Sequence, residues 1–190
     1  MSTNIAGEYM LQGMREMASG FLLNPDHTFQ FFFIYGALDR FAKGEWKQEG
    51  DTIHFSTRSW PGTDFTLVRT EEGEKDLITV GFEKSNPMLS VYMYASLGNG
   101  AENTWERFDQ HGYIKLPLRN FDSISLCFEF SPERFSVLQV KPNGHHKFIV
   151  RPEQTLFEVF LKDFSLRIND DGLKGKHPLM EGEEFVYKKQ

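Results

Sequence analysis

Few residues in this chain have the type and spacing that chemistry requires. His145-His146 is its only histidine pair, and neighbours on a regular strand point to opposite faces, so the two cannot share one metal ion. Beside Asn143-Gly144 they read as turn residues. Cys127, the single cysteine, sits in Ser125-Leu126-Cys127-Phe128 with no His or Asn in a motif relation to it, and reads as a packed strand residue. The sequence has no Gly-x-Ser-x-Gly elbow, phosphate loop, dinucleotide fingerprint or His-Glu-x-x-His, so no catalytic residue, metal ligand or cofactor is assigned. What remains is a carboxylate and guanidinium set. Glu16 heads an apolar strand, and Asp39-Arg40 falls in the loop entering the Gly44–Trp46 strand, so these groups could meet at the mouth of a closed sheet. There they would form an ion pair that closes the end, or polar anchors for a ligand. With Tyr9, Tyr35, Trp46 and Arg119 they make the candidate ligand-binding set, because pockets combine apolar walls with a few polar anchors.

The strands that must position these residues are clearest between Glu16 and Ser56. Asn24-Pro25-Asp26-His27 is a turn, since proline presets φ and the Asn and Asp side chains bond their own backbone. Beyond it Phe29, Phe31, Phe33 and Tyr35 share one face, with Gln30, Phe32 and Ile34 on the other. Both faces are apolar near the strand's end, which predicts cover on both sides there. Gly44 leaves room for the Trp46 indole to lie across the backbone. Glu49-Gly50-Asp51 closes another hairpin, and residues 52–56 alternate with one wet face.

The rest of the chain repeats this pattern. Strands are predicted at Ile5 to Gln12, Phe65 to Val68, Leu77 to Phe82, Met88 to Tyr94, Tyr113 to Leu116, Ile124 to Phe130, Phe135 to Val140, His146 to Val150, Phe164 to Ile168 and Glu184 to Tyr187. Residues 153–162 fit a short helix and a strand equally well. Leu97 to Asn103 is the best internal boundary.

Composition bounds the partners. A chain of 190 residues fits one domain and buries roughly 70% of its unfolded surface without disulfide or metal. A net charge of −6 with no Lys or Arg cluster argues against nucleic acid. No apolar run reaches the roughly 18 residues of a membrane span, and the N-terminus lacks a basic-then-apolar signal pattern, so a cytoplasmic location is expected, export of a longer precursor aside.

About a dozen short strands separated by turns predict an all-β fold, an antiparallel barrel of roughly 8 to 10 strands in a single domain over residues 1–190, with at most one or two short helices. Gly7-Glu8-Tyr9, Phe21 to Phe29, Tyr35-Gly36, Gly44-Glu45-Trp46 and Gly50 to Phe55 together resemble small bacterial barrels. They are similar to the N-terminal domain of the copper-homeostasis outer-membrane lipoproteins and, more distantly, to lipocalin-like calycin barrels. The chain departs from the lipoproteins in having no lipid-attachment cysteine and no Cys-x-x-Cys, so the resemblance implies the barrel alone. Calycin barrels commonly hold small apolar molecules. The expected function is therefore binding of a small apolar or amphipathic molecule inside the barrel; the alternative is a protein-interaction or structural β module with a packed interior, able to form a homo-oligomer. An enzyme using barrel-mouth carboxylates is the third reading, with no motif behind it.

Overall fold

The computed structural model describes residues 5–36, 38–98, 104–141 and 143–190. Five strands open the chain: β1 (Gly7–Leu11), β2 (Met17–Leu23), β3 (Thr28–Tyr35), β4 (Leu38–Glu49) and β5 (Thr52–Thr57). Then come β6 (Phe65–Glu71), β7 (Leu77–Phe82), the one-turn helix α1 (Pro87–Ser90), β8 (Met93–Leu97), β9 (Glu106–Arg107) and β10 (Tyr113–Pro117). These are followed by β11 (Ser123–Phe128), β12 (Ser136–Gln139), β13 (Lys147–Pro152), β14 (Phe164–Asn169), β15 (Gly172–Gly175) and β16 (Phe185–Lys189). The fold is all-β, and among the described residues no helix is long and apolar enough to cross a membrane.

The chain divides into two compact units, Met1–Ser59 with Phe157–Gln190, and Trp60–Leu156. The first holds a closed antiparallel barrel in the order β1-β16-β15-β14-β5-β4-β3-β2. Eight strands close the sheet, and they come only from the two ends of the chain. The predicted boundary at 97–103 begins where β8 ends at Leu97; residues 99–103 lie outside those described.

Alternation explains the barrel core. On β3 the side chains of Phe29, Phe31 and Phe33 are buried, while Gln30 and Ile34 face out. The β2–β3 hairpin closes as its residues dictate: Asp26 Oδ1 accepts from the Thr28 backbone N–H at 3.0 Å and from Thr28 Oγ1 at 2.7 Å, and His27 takes a positive φ of 66°. The inward rings then meet at the centre. Phe21 lies 4.9 Å from both Phe31 and Phe55, and 5.2 Å edge-on from Tyr187, between ring centroids; Phe29 is 5.0 Å from Phe55.

Two expectations for this unit are corrected. Ile34 and Tyr35 are 41% and 48% exposed, not covered, because they stand at the tip of the β3–β4 hairpin. Gly44 makes room first for the Ser56 backbone carbonyl of the neighbouring strand and then for the ring of Phe29, its register partner, 2.9 Å from an added Cβ. The Trp46 indole turns instead to the β2–β3 turn, donating from Nε1 to the Asn24 carbonyl at 3.1 Å.

The second unit holds two four-stranded sheets, β10-β7-β13-β6 and β12-β11-β8-β9; β13 runs parallel to β7 and the other pairs are antiparallel. The strand predicted over Met88 to Tyr94 begins only at Met93. Asn86 caps α1 by accepting from the Met88 N–H at 3.1 Å, and Pro87 sits in its first turn, so Asn-Pro starts a helix here. Gln154–Phe157 is a single 3-10 turn, neither of the two forms predicted for 153–162. A buried pair joins the ends of this unit: Arg134 Nε donates to Asp64 Oδ2 at 2.7 Å and Arg134 Nη2 to the Thr155 carbonyl at 2.8 Å, while the Trp60 indole donates to Asp64 Oδ1 at 3.0 Å.

Candidate functional site

Four of the seven sequence candidates gather at one end of the barrel. Register pairs Met17 with Tyr35, Ile34 with Asp39 and Phe33 with Arg40, which puts Glu16, Tyr35, Asp39 and Arg40 together at the β3–β4 tip. Glu16, Tyr35 and Asp39 are exposed. Only Arg40 turns inward, where it is 2% exposed and its Nη2 donates to the Glu158 carbonyl at 3.2 Å. Asp39 and Arg40 lie within β4 rather than in a loop, on its opposite faces.

The other three stand apart. Tyr9 is buried in the core, its hydroxyl donating to the Ile5 carbonyl at 2.6 Å, and burial raises its pKa. Trp46 lies six residues beyond Arg40 on β4, roughly 20 Å away along a strand, at the opposite end. Arg119 belongs to the second unit, donating from Nη2 to the Leu97 carbonyl at 2.7 Å beside a cleft of about 260 Å³.

The most specific constellation in the barrel was not among these residues. Between β15 and β16, residues 176–184 fold back into the barrel end that holds Arg40, with Leu179 and Met180 packed against the core. His177, 5% exposed, is ringed by Phe31, Phe33, Phe185 and Tyr187, with centroids 5.5–6.3 Å from its own. Its nitrogens are both used. Nδ1 accepts from the Leu179 backbone N–H at 3.0 Å, so the ring proton sits on Nε2, which donates to Ser19 Oγ at 3.0 Å. Ser19 in turn donates to the Phe32 carbonyl at 2.9 Å.

This direction of bonding decides the chemistry. An activated serine needs an imidazole nitrogen that accepts its proton. Here the imidazole N–H donates a hydrogen bond to the serine oxygen and the hydroxyl proton is committed to the backbone, so Ser19 and His177 hold structure. Burial drives the His177 pKa down to about 4, which keeps the ring neutral. Sequence offered one clue. Ser19 alternates inward with Phe21 and Leu23 on β2, and a buried hydroxyl at an inward position needs a partner. Nothing in Lys176-His177-Pro178 says that His177 is that partner.

The remaining polar groups are separate. His145 Nδ1 lies 2.6 Å from Thr70 Oγ1 and His146 Nδ1 lies 3.1 Å from the Glu74 carbonyl, so the pair binds two different neighbours. Cys127 is half-buried, and desolvation with the nearby Glu129 charge pushes its thiol up to about 11, a protonated and unreactive form. Among the described residues no group of three or more His, Cys, Asp or Glu side chains is placed to hold a metal ion. Outside the barrel wall, Arg167, Lys174, Lys176, Glu183 and Glu184 line a cleft of about 420 Å³, with ion pairs Lys174–Glu184 at 2.8 Å and Lys176–Glu183 at 3.2 Å. The Tyr187 hydroxyl, fully buried, has no hydrogen-bond partner among the described residues. Compared with protein-family models, curated proteins and solved structures, the chain matches none of them.

Proposed function

We propose that this protein is a structural or interaction β module that works through its outer surface, its barrel filled by its own side chains. One observation carries the reading: Phe21, Phe29, Phe31 and Tyr187 are buried to less than 2% exposure in the barrel core, the other three in ring contact with Phe21, which with Phe29 also meets Phe55. A guest would have to displace them. Leu22, Ile34 and Tyr35, exposed apolar residues on β2 and β3, supply the kind of surface a protein contact uses. Eight-stranded antiparallel closure supports a calycin-type architecture for the barrel.

A second reading, a small molecule held inside the barrel, is favoured by the partnerless Tyr187 hydroxyl, because buried polar groups ordinarily have a partner. Thermal unfolding with fatty acids, flavins, haem and retinoids separates the two. Each compound should leave the transition unchanged. A ligand that adds about 2.7 kcal/mol at 100 times its dissociation constant would replace the first reading with the second.

A further inference from the structure

We propose that residues 176–184 form an acid-released strap: protonation of His177 unseats it from the barrel end and leaves the rings of Phe33 and Phe185 open to solvent. His177 Nδ1 is an acceptor for the Leu179 N–H at 3.0 Å, and a second ring proton must go to that nitrogen. Two donors would then face each other, and the bond that folds the strap back on itself would be lost. The ring cannot turn to escape, because Nε2 is held by Ser19 and the faces are held by Phe31, Phe33, Phe185 and Tyr187.

The surroundings offer the imidazolium no compensation. From β2 the ring meets Ser19, from β3 Phe31 and Phe33, and from β16 Phe185 and Tyr187, whose own pKa burial raises, so it stays neutral through the acid range. On β4 the inward partner of Phe33 is Arg40, which is no anion either. None of these groups is a carboxylate. Within the strap, Lys176 and Glu183 pair with each other in solvent.

The strap also has hinges. Gly175 precedes it and Gly182 lies within its second half, with φ of 156° and 139°, conformations that L side chains rarely adopt, so both turning points are built from the one residue that can change φ freely. Leaving the barrel breaks the His177 bonds and ring contacts, the ion pairs of Lys174 and Lys176, and the packing of Leu179 and Met180. The barrel ladders β1–β16 and β14–β15 need not open.

Amide hydrogen exchange on the full chain tests this. The Leu179 amide should lose protection, after correction for intrinsic exchange, by about tenfold per pH unit as pH falls from 6 to 5, while the amides of Phe21 and Phe31 keep theirs. His177→Gln, which can accept and donate in the same places but takes no proton, should make Leu179 protection independent of pH. Constant Leu179 protection in the wild type, parallel loss at Phe21 and Phe31, or pH dependence that survives in folded His177→Gln would each overturn the proposal. Should that variant not fold, the wild-type imidazole titration followed by NMR takes its place: its midpoint must lie well below that of a free imidazole, and an unshifted titration refutes the strap.

Discussion

His177 Nε2 and Ser19 Oγ lie 3.0 Å apart inside the barrel although 158 residues separate them in the chain. The contact joins the strap after β15 to the inward face of β2, and so ties the two ends of the chain together inside the barrel. Ser19→Ala would leave the imidazole N–H buried without an acceptor, at a cost of about 1 to 3 kcal/mol. Urea unfolding measures it; a neutral result would mean that the N–H has another acceptor.

Stability should fall with acid in a definite window. His177 binds a proton less readily folded, at about 4, than unfolded, at 6.5, so between those values the unfolded chain holds the extra proton and folding weakens as pH drops. The full effect is about 3 kcal/mol, present above pH 6.5 and lost by about pH 4. Glu71, held below its ordinary 4.5 by hydrogen bonds from Lys147 and Arg69, acts in a lower window, under pH 4.5. Denaturant melts between pH 7 and 4.5 should therefore show a slope that His177→Gln removes.

Tyr187→Phe is the most informative single-atom change. Deleting a buried hydroxyl with no partner among the described residues should be neutral or stabilising by up to about 1 kcal/mol. A loss above about 1 kcal/mol, read from equilibrium unfolding, would reveal a water or guest on that oxygen.

In the second unit, Asp64→Asn leaves Arg134 buried against a neutral amide. Breaking one side of such a pair costs about 3 to 5 kcal/mol, since the remaining charge has no water to return to. The transition of the Trp60–Leu156 unit, followed by the fluorescence of Trp60 and Trp105, should drop accordingly. An unchanged transition would show that the carbonyls of Thr155 and Leu156 suffice for the guanidinium.

Much of the barrel was legible because period two and turn chemistry are local. Phe29, Phe31 and Phe33 announce an inward face, and Asn24-Pro25-Asp26-His27 announces the reversal before it. Closure was not legible. Pairing of β5 with β14 and of β1 with β16 depends on strands over a hundred residues apart, and nothing in Thr52–Thr57 names Phe164–Asn169 as its neighbour. The short β15 was missed because four residues, two of them glycine, carry no alternation. Asn86-Pro87 misled for a physical reason: the same dipeptide opens a turn or caps a helix, and Ser90, whose N–H reaches the Asn86 carbonyl, decides which.

The candidate site was legible in part. Glu16, Tyr35, Asp39 and Arg40 reach one barrel end because hairpin register is set by nearby residues. Their chemistry was not, since strand alternation sends Asp39 outward and Arg40 inward. His177 escaped notice because an irregular segment has no period to read.

The most direct test of the filled barrel is a methyl NMR titration of the wild-type chain with small apolar probes such as benzene, watching Leu23, Ile53, Leu166 and Leu173, whose side chains are buried in the barrel core. Resonances that stay in place up to saturating probe are the predicted result. Saturable shifts confined to those methyls would show a space that admits a guest, and would contradict the account.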